Sequence, residues 1–398
     1  MSAVLVINTG SSTIKYQLLD LPEGDGDPEV LAAGLVDRIG DQGATLKHRT
    51  AEHELTVDDP IDDHEAGFRR MLDAFEQTGT PQDLTAVGHR VVHGGERFDG
   101  PVLVDDDVLA AIHDLTPLAP LHNPSNALGI EVARRLHPDL PQVAVFDTAF
   151  HRTMPPRAYR YAVPRELAAR YAIRRFGFHG TSHQYVSRKA AQHLGRPLAE
   201  LDLITLHLGN GASATAVAGG RSVDTSMGLT PLPGLVMGTR SGDIDPAVVF
   251  HLHREAGMDL DEIETMLTRK SGLLGLAGAG DLREVRRRIE AGDAAAAEAL
   301  DILCYRVRSY IGAYAAALGR VDAIVFTAGI GENDAQLRAQ VCAGLEGFGV
   351  RVDDERNTAG GRGVRDVSAS DSRVRVLVVP TDEELEIARQ ALSLVRPR

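Results

Sequence analysis

Two arginines, two histidines and an aspartate stand beside small residues in settings suited to handling an anion. Arg90 lies in GHRVVHGGE, residues 88–96, inside a strand-like apolar run. An unpaired guanidinium is costly to bury there, so it requires an anionic partner. Arg240 lies in GLVMGTRSGDID, residues 234–245, between Gly238 and Gly242, where small neighbours let a ligand reach the fork. An ion pair with an internal carboxylate, Asp243 or Asp245 in the case of Arg240, would answer the same need. His122 precedes Asn123-Pro124, which reads as an N-cap with proline at the first helical position. His179 precedes Gly180-Thr181-Ser182, which would cap a helix starting near His183. Helix N-termini favour anions. Asp147 ends the run QVAVFD, and open α/β sheets place ligands at the carboxyl ends of strands, although such an aspartate can equally cap the next turn.

Glycine-rich turns add a second kind of anion chemistry. In VLVINTGSSTIKYQL, residues 4–18, an apolar run is interrupted by Asn8-Thr9-Gly10-Ser11-Ser12, and an alternating run resumes with Ile14, Tyr16 and Leu18. Such a turn exposes backbone N–H groups and hydroxyls with little Cβ bulk, a cradle for phosphate oxygens, and Lys15 adds positive charge. An ordinary hairpin would look the same. The pattern recurs in LITLHLGNGASATAV, residues 203–217, about half the chain later, which points to duplicated domains facing one cleft. A third turn, Ala328-Gly329-Ile330-Gly331-Glu332-Asn333, follows the strand-like run at 322–327. No GxxxxGK[ST] loop occurs, and isolated GxG spacings are not a dinucleotide fingerprint.

The elements that must position these groups alternate along the chain. Strand-like runs at 4–7, 87–92, 142–146, 203–208, 322–327 and 374–379 are separated by helical patterns, the α/β signature. Leu300, Leu303, Val307, Ile311, Tyr314 and Leu318 recur at three- and four-residue steps, so Ala294 to Leu318 is predicted to be a buried helix stopped by Gly319. The stretches near 23–28 and 58–65 read as loops, and 353–372 as a surface excursion before the last strand.

At 398 residues the chain exceeds what one core usually supports, so two domains are expected. A net charge of −14 without a dense basic stripe argues against nucleic acid as partner. Arg286-Arg287-Arg288, beside Glu284 and Glu290, reads as a solvated helix face. No apolar run is long enough for a membrane span, and MSAVLVIN has no basic export signal, so a cytoplasmic protein is expected. Cys304 and Cys342 have neither metal-like spacing nor a secretory context and read as reduced thiols.

VLVINTGSSTIKY, GHRVVHGGE, PLHNPSN, FDTAFH, FGFHGTSH, HLGNGAS, MGLTPLPGLVMGTRSGDIDP, TAGIGEN and PTDEEL, in this order, resemble the acetate kinase (acetokinase) family over essentially the whole chain. The resemblance implies an α/β fold of two duplicated βββαβαβα domains around a nucleotide cleft, as in sugar kinases, actin and heat-shock ATPases. It places the domains at 1–149 plus 385–398 and at 150–384. It implies Arg90, Asp147, His179 and Arg240 as the catalytic set, with His122 at the transition state. Asn8 and Glu383 match the metal-associated positions, for Mg²⁺ or alternatively Mn²⁺, ions that take oxygen ligands and retained water. Nucleotide contacts fall on Lys15, on His207, Leu208, Gly209, Asn210 and Gly211, on Asp281, Leu282 and Arg283, and on Gly329, Ile330, Gly331, Glu332 and Asn333. Val92, Leu121, Phe178 and Pro231 match an apolar acetate pocket, which Arg90 also joins. Thr13, Ile14, Leu229, Pro233 and Ser241 depart mildly from the family pattern, and none of them removes a charged group.

The implied reaction is reversible transfer of a phosphoryl group from ATP to acetate by a cytoplasmic homodimer. Acetate is already an anion at pH 7 and needs no general base. The obstacle is repulsion, roughly 4 kcal/mol for two unit charges about 4 Å apart at an effective dielectric near 20. Fixed cations are therefore what such a site requires. A propionate or butyrate kinase could use the same scaffold. A nucleotide-gated chaperone or filament protein would share the hairpins but would not need paired arginines and an apolar pocket.

Overall fold

The computed structural model describes residues 2–22 and 28–396. The loop reading of 23–28 therefore lies outside the described residues except at Pro28. The chain folds into two compact units, Met1–Ala149 with Asp382–Arg398, and Phe150–Thr381. The helix Glu383–Val395, capped by Asp382, packs on strands of the first unit. Asp382 to Glu384 thus group with that unit rather than with the second, where the expected boundary put them.

The first unit is built on strands β1 (Ala3–Thr9), β2 (Ile14–Asp20), β3 (Glu29–Asp37), β4 (Thr45–Arg49), β5 (Glu54–Val57), β6 (Ala86–Val91), β7 (Val102–Leu103) and β8 (Gln142–Phe146), in the order β5-β4-β3-β2-β1-β6-β8-β7. β1 and β2 form the antiparallel hairpin read from the sequence, with Gly10 N–H donating to the Thr13 carbonyl at 2.8 Å. β6 and β8 run parallel to β1. On one face Leu5, Ile7, Ile14 and Leu18 pack with Phe68 and Phe75 of the helix His64–Gln77. Burial of each such side chain contributes about 1.5–3 kcal/mol. That helix begins inside the stretch expected to be a loop, because Asp63 caps it by accepting from Ala66 N–H. Gly88 of β6 lies under the helix Glu383–Val395: a Cβ there would stand 2.8 Å from Ile387 Cγ2.

The second unit repeats the plan with β9 (Asp202–Leu208), β10 (Ala212–Ala218), β11 (Arg221–Thr225), β12 (Ala323–Thr327), β13 (Arg365–Asp366) and β14 (Arg375–Val378), ordered β11-β10-β9-β12-β14-β13. β9 and β10 form the second hairpin, and β12 and β14 continue parallel to β9. The order β11-β10-β9-β12-β14 matches β3-β2-β1-β6-β8, so the duplication implied by the resemblance is present as topology. The helix Ala294–Leu318 has the expected bounds: Asp293 caps its start, Gly319 stops it at φ 74°, and it buries Leu300, Leu303, Val307, Ile311 and Tyr314.

Two expectations need correction. The segment 353–372 is more than an excursion, since it supplies a short helix, Asp354–Thr358, and the edge strand β13, and it buries Val367 and Ser368. Arg286 is not simply solvated. Its Nε and Nη2 both reach Asp334, at 2.6 Å each, a forked pair formed across 48 residues that no local pattern announces.

Candidate active site

In the first unit the expected residues gather at the carboxyl ends of β1, β6 and β8. Arg90, on β6, points its fork at Asp147, just past β8: Nε to Oδ1 is 3.1 Å and Nη2 to Oδ2 is 2.5 Å. Nη1 lies 3.5 Å from Asn8 Oδ1, and Nε lies 3.8 Å from Glu383 Oε2. Burial opposes the arginine's charge, but Asp147, Glu383 and Glu384 outweigh it and raise its pKa. The Glu383 carboxyl is pushed up to about 7, chiefly by burial, while Arg90 pulls it down and Asp147 and Glu384 add to the rise. Glu383 opens a helix whose first turn also holds Glu384 and Glu386, a place where backbone N–H groups favour carboxylates. Lys15, expected as a phosphate ligand, pairs with Glu384 and is largely exposed.

The turn before the helix Asn123–Leu136 differs from its sequence reading. His122 itself occupies the N-cap position, without a side-chain cap bond, and is exposed. Asn123 is the first helical residue and spans back to the segment just after β6, accepting from His93 N–H at 3.2 Å and donating to the His93 carbonyl at 3.1 Å. Of the apolar residues expected in this unit, Val92 is buried and donates its N–H to Asn126 at 3.0 Å, whereas Leu121 is 63% exposed.

In the second unit His179 occupies the left-handed region (φ 57°, ψ 25°) and the helix Gly180–Leu194 starts directly after it, three residues before the expected His183. Thr181, Ser182 and His183 are therefore first-turn residues, all buried. Their polar groups are satisfied by tertiary partners: Ser182 Oγ lies 2.8 Å from His207 Nδ1 and 2.8 Å from Thr381 Oγ1. The rings of His179 and His207 stack with centroids 4.2 Å apart. Phe178 is buried, and its carbonyl lies 2.9 Å from His151 Nε2.

Arg240 is partly buried, and burial lowers its pKa. Its Nη1 donates to the Pro231 carbonyl at 3.0 Å and approaches Met237 Sδ at 3.7 Å. Among the described residues no carboxylate pairs with it: Asp243 instead accepts from Gly234 N–H and from Tyr310 Oη, and Asp245 accepts from Ala247 N–H. Gly211 shows where the fork is aimed. A Cβ placed on Gly211 would lie 3.5 Å from His179 Nε2 and 3.7 Å from Arg240 Nη1, so imidazole and guanidinium converge on the space above that backbone.

The remaining predicted nucleotide segments fall in the same unit. Leu208, Gly209 and Ile330 line one crevice together with Met237, Gly238 and Leu273. Gly238 permits a close approach: a Cβ there would be 2.3 Å from Asn210 Oδ1 and 2.8 Å from the Gly280 carbonyl. Asp281 caps the helix Leu282–Glu290 and pairs with exposed Arg283, which is the main reason its carboxyl falls to about 2. Gly329 to Asn333 form a helical turn, Ala328–Asn333, held from inside by Arg338, whose Nη1 donates to the carbonyls of Gly331 at 2.9 Å and Glu332 at 3.0 Å. The Glu332 carboxyl accepts from Thr381 N–H at 3.1 Å, and the Asn333 side chain donates to the Gly329 carbonyl at 2.8 Å. Arg338 drew no attention in the sequence, and a lone arginine amid AQLRAQVC carries no signal of such a role.

Among the described residues no cluster of three or more His, Cys, Asp or Glu forms a metal cage, and no helix is long and apolar enough to cross a membrane. The oxygen donors beside Arg90, Glu383 and Asn8 among them, fit an ion that needs few protein ligands and completes its shell with water and phosphate, as Mg²⁺ does.

Comparison with known proteins agrees over the full length. The family model described as Acetokinase family matches residues 3–389. The acetate kinase of Leifsonia xyli is 58% identical over 402 residues, covering 99% of each chain, and that of Streptomyces coelicolor is 57% identical over 397 residues, covering 98% of this chain and 97% of the other. The crystal structure of Porphyromonas gingivalis acetate kinase superposes with a TM-score of 0.94 at 41% identity, covering both chains entirely. A propionate kinase from Francisella tularensis superposes with a TM-score of 0.91 at 40% identity, over 98% of this chain and 99% of the other. The chain therefore belongs to the acetokinase family.

Proposed function

We infer that the chain catalyses reversible phosphoryl transfer between ATP and acetate, giving ADP and acetyl phosphate. It is a kinase and a phosphotransferase with a carboxyl acceptor. The observation that carries the assignment of roles is the convergence of His179 Nε2 and Arg240 Nη1 over Gly211, with no carboxylate neutralising the arginine among the described residues. A group of negative oxygens is what that arrangement attracts.

In this reading Arg240 and His179 donate to the oxygens of the transferring phosphoryl group, whose charge is spread over its three equatorial positions. Arg90, held side-on by Asp147, offsets the repulsion between acetate and phosphate. The Arg90 fork is already engaged, so Asp147 acts as an orienter and not as a proton acceptor; acetate has no proton to give. Glu383 and Asn8 would hold Mg²⁺, or alternatively Mn²⁺, and the bound ion supplies charge neutralisation on the phosphates. Leu208, Met237, Leu273 and Ile330 line a narrow crevice beside the glycine turns that the resemblance assigns to the nucleotide. The resemblance assigns Val92 and Leu121 of the first unit, and Phe178 and Pro231 of the second, to contacts with the acetate methyl group. The resemblance also implies a cytoplasmic homodimer, which light scattering and fractionation would test.

Incubating the protein with Mg-ATP, hydroxylamine and each of acetate, propionate and butyrate tests the proposal. Acetyl hydroxamate should form fastest. The propionate kinase of similar fold makes propionate the competing acceptor. Faster propionyl hydroxamate formation would move the assignment to the longer acid, and absence of every hydroxamate would overturn it.

A further inference from the structure

Behind His179 lies a chain of buried hydrogen bonds that the roles above do not use. His179 Nδ1 is 2.9 Å from Ser213 Oγ, the same oxygen is 2.8 Å from His183 Nε2, and His183 Nδ1 is 2.7 Å from Thr205 Oγ1. Ser213, His183 and Thr205 are fully buried. They come from β10, from the helix Gly180–Leu194 and from β9, so three elements converge on the ring that faces Gly211.

Counting protons gives the chain a direction. Burial, with the nearby His151 and His207, drives the pKa of His183 well below its ordinary value, so its ring is neutral and has one donor and one acceptor. Ser213 has one proton to give, to His179 or to His183, and if that proton is to have a partner the three links all point the same way. If they run from His179 toward Thr205, the Thr205 hydroxyl proton is left with the Thr215 carbonyl at 3.5 Å, beyond good hydrogen-bonding distance. If they run from Thr205 toward His179, each hydroxyl or ring proton sits in a short link: Thr205 donates to His183 Nδ1, His183 Nε2–H to Ser213, and Ser213 to His179 Nδ1. The second arrangement leaves no buried proton poorly placed.

We propose that Ser213 is a positioning residue for His179: its hydroxyl, oriented by His183 and Thr205, fixes the neutral ring in the tautomer that carries its proton on Nε2. That nitrogen faces the space above Gly211 shared with Arg240. His179 is then a preset neutral donor whose ring need not reorient during the reaction, while the arginine supplies the charge. The assignment of tautomer stands on the hydrogen-bond chain; its link to turnover rests on the reading of His179 given above.

Selective ¹⁵N labelling of histidine in the full-length, ligand-free protein tests this, with the His179 signals identified by their loss in His179→Asn. At neutral pH, His179 should show a pyridine-type Nδ1 and a protonated pyrrole-type Nε2. The opposite tautomer, or a doubly protonated ring, overturns the proposal, and this readout needs neither substrate nor a Ser213 variant. In Ser213→Ala the His179 signals should move toward a tautomer mixture. kcat should fall roughly 10–100-fold, the range for losing a group that orients an active imidazole, with KM for both substrates nearly unchanged. Ser213→Thr, which keeps the hydroxyl, should recover most of the rate. Unchanged His179 signals or wild-type kcat in a folded Ser213→Ala protein overturns the proposal. Inactivity of the wild-type protein toward every short acid would instead count against the functional reading and leave the tautomer result standing.

Discussion

Arg90 meets Asp147 side-on, Nε to Oδ1 at 3.1 Å and Nη2 to Oδ2 at 2.5 Å, with the carboxylate buried and the guanidinium partly exposed. Removing one partner of such a pair strands the other charge. Asp147→Asn should therefore cost about 3 kcal/mol of stability as well as activity. Replacing both residues by apolar ones, Arg90→Met with Asp147→Leu, should recover much of the stability in denaturant melts and none of the turnover. Recovered turnover would show that the pair is structural only.

Arg240 has carbonyl and thioether contacts but no carboxylate among the described residues, so its charge is available to a substrate. Arg240→Ala should lower kcat by roughly 10²–10³ or more, the cost of deleting one donor to transition-state charge. Arg240→Lys should restore charge without the fork and rescue only partly. Steady-state kinetics decide, and a near-native Arg240→Ala enzyme would remove Arg240 from the catalytic set.

Direct in-line transfer carries a stereochemical signature. With ATP made chiral at the γ-phosphorus, one displacement inverts the configuration. Retention would require a covalent phosphoenzyme, with Asp147 and Glu383 the carboxylates to label and sequence.

Three buried histidines set an acid limit. Burial lowers His89 and His151 to about 4, and His183 also lies well below its ordinary value. Unfolded histidines take up protons near pH 6.5, whereas the folded rings of His89 and His151 resist protonation until about 4 and that of His183 until well below its ordinary value. Their contribution is complete above about pH 6.5 and is lost as the pH falls through that window. For His89 and His151 it amounts to about 3 kcal/mol each by pH 4. Melting temperature should fall between pH 6.5 and 4, and His89→Gln, which keeps an amide beside Gln142, should flatten part of that slope. A flat profile in the wild type would contradict it.

Val92 tests the acyl pocket. It is buried directly after β6, so either core packing or enclosure of a methyl group explains it. As a pocket residue, Val92→Ala should raise kcat/KM for propionate relative to acetate, within the roughly 1–3 kcal/mol that one methylene can command. As a core residue, it should lower the melting temperature and leave that ratio unaltered.

Much of the scaffold was legible because its signals are local. The alternation of Ile14, Tyr16 and Leu18, the turns at Gly10 and Gly211, and the spacing that ends at Leu318 each specify an element without reference to distant residues. The helix starts at Asn123 and Gly180 were misplaced for the opposite reason: Asn123, Ser182 and His183 look like capping residues, but tertiary partners claim their polar groups. The same applies to Arg286, whose carboxylate lies at Asp334, and to Arg338, whose acceptors are backbone carbonyls and the Asn357 side chain, which only the fold brings to it. Ser213 was invisible as a candidate. Its role depends on a histidine from a neighbouring helix, and a serine in an ASATAV strand has no distinguishing spacing.

The first unit is assembled from two separated stretches, Met1–Ala149 and Asp382–Arg398, with the second unit translated in between. The helix Glu383–Val395 covers β1, β6 and β8, and Gly88 is shaped to receive Ile387. On the ribosome that helix emerges only after Phe150–Thr381 has been synthesised. The sheet of the first unit must therefore wait with that face uncovered, a period in which aggregation or chaperone capture competes. Glu383 arrives with the same helix, so the carboxylate beside Arg90 is among the last groups to take its place. Synthesis itself thus defers completion of this half of the machinery until the rest of the chain has been made.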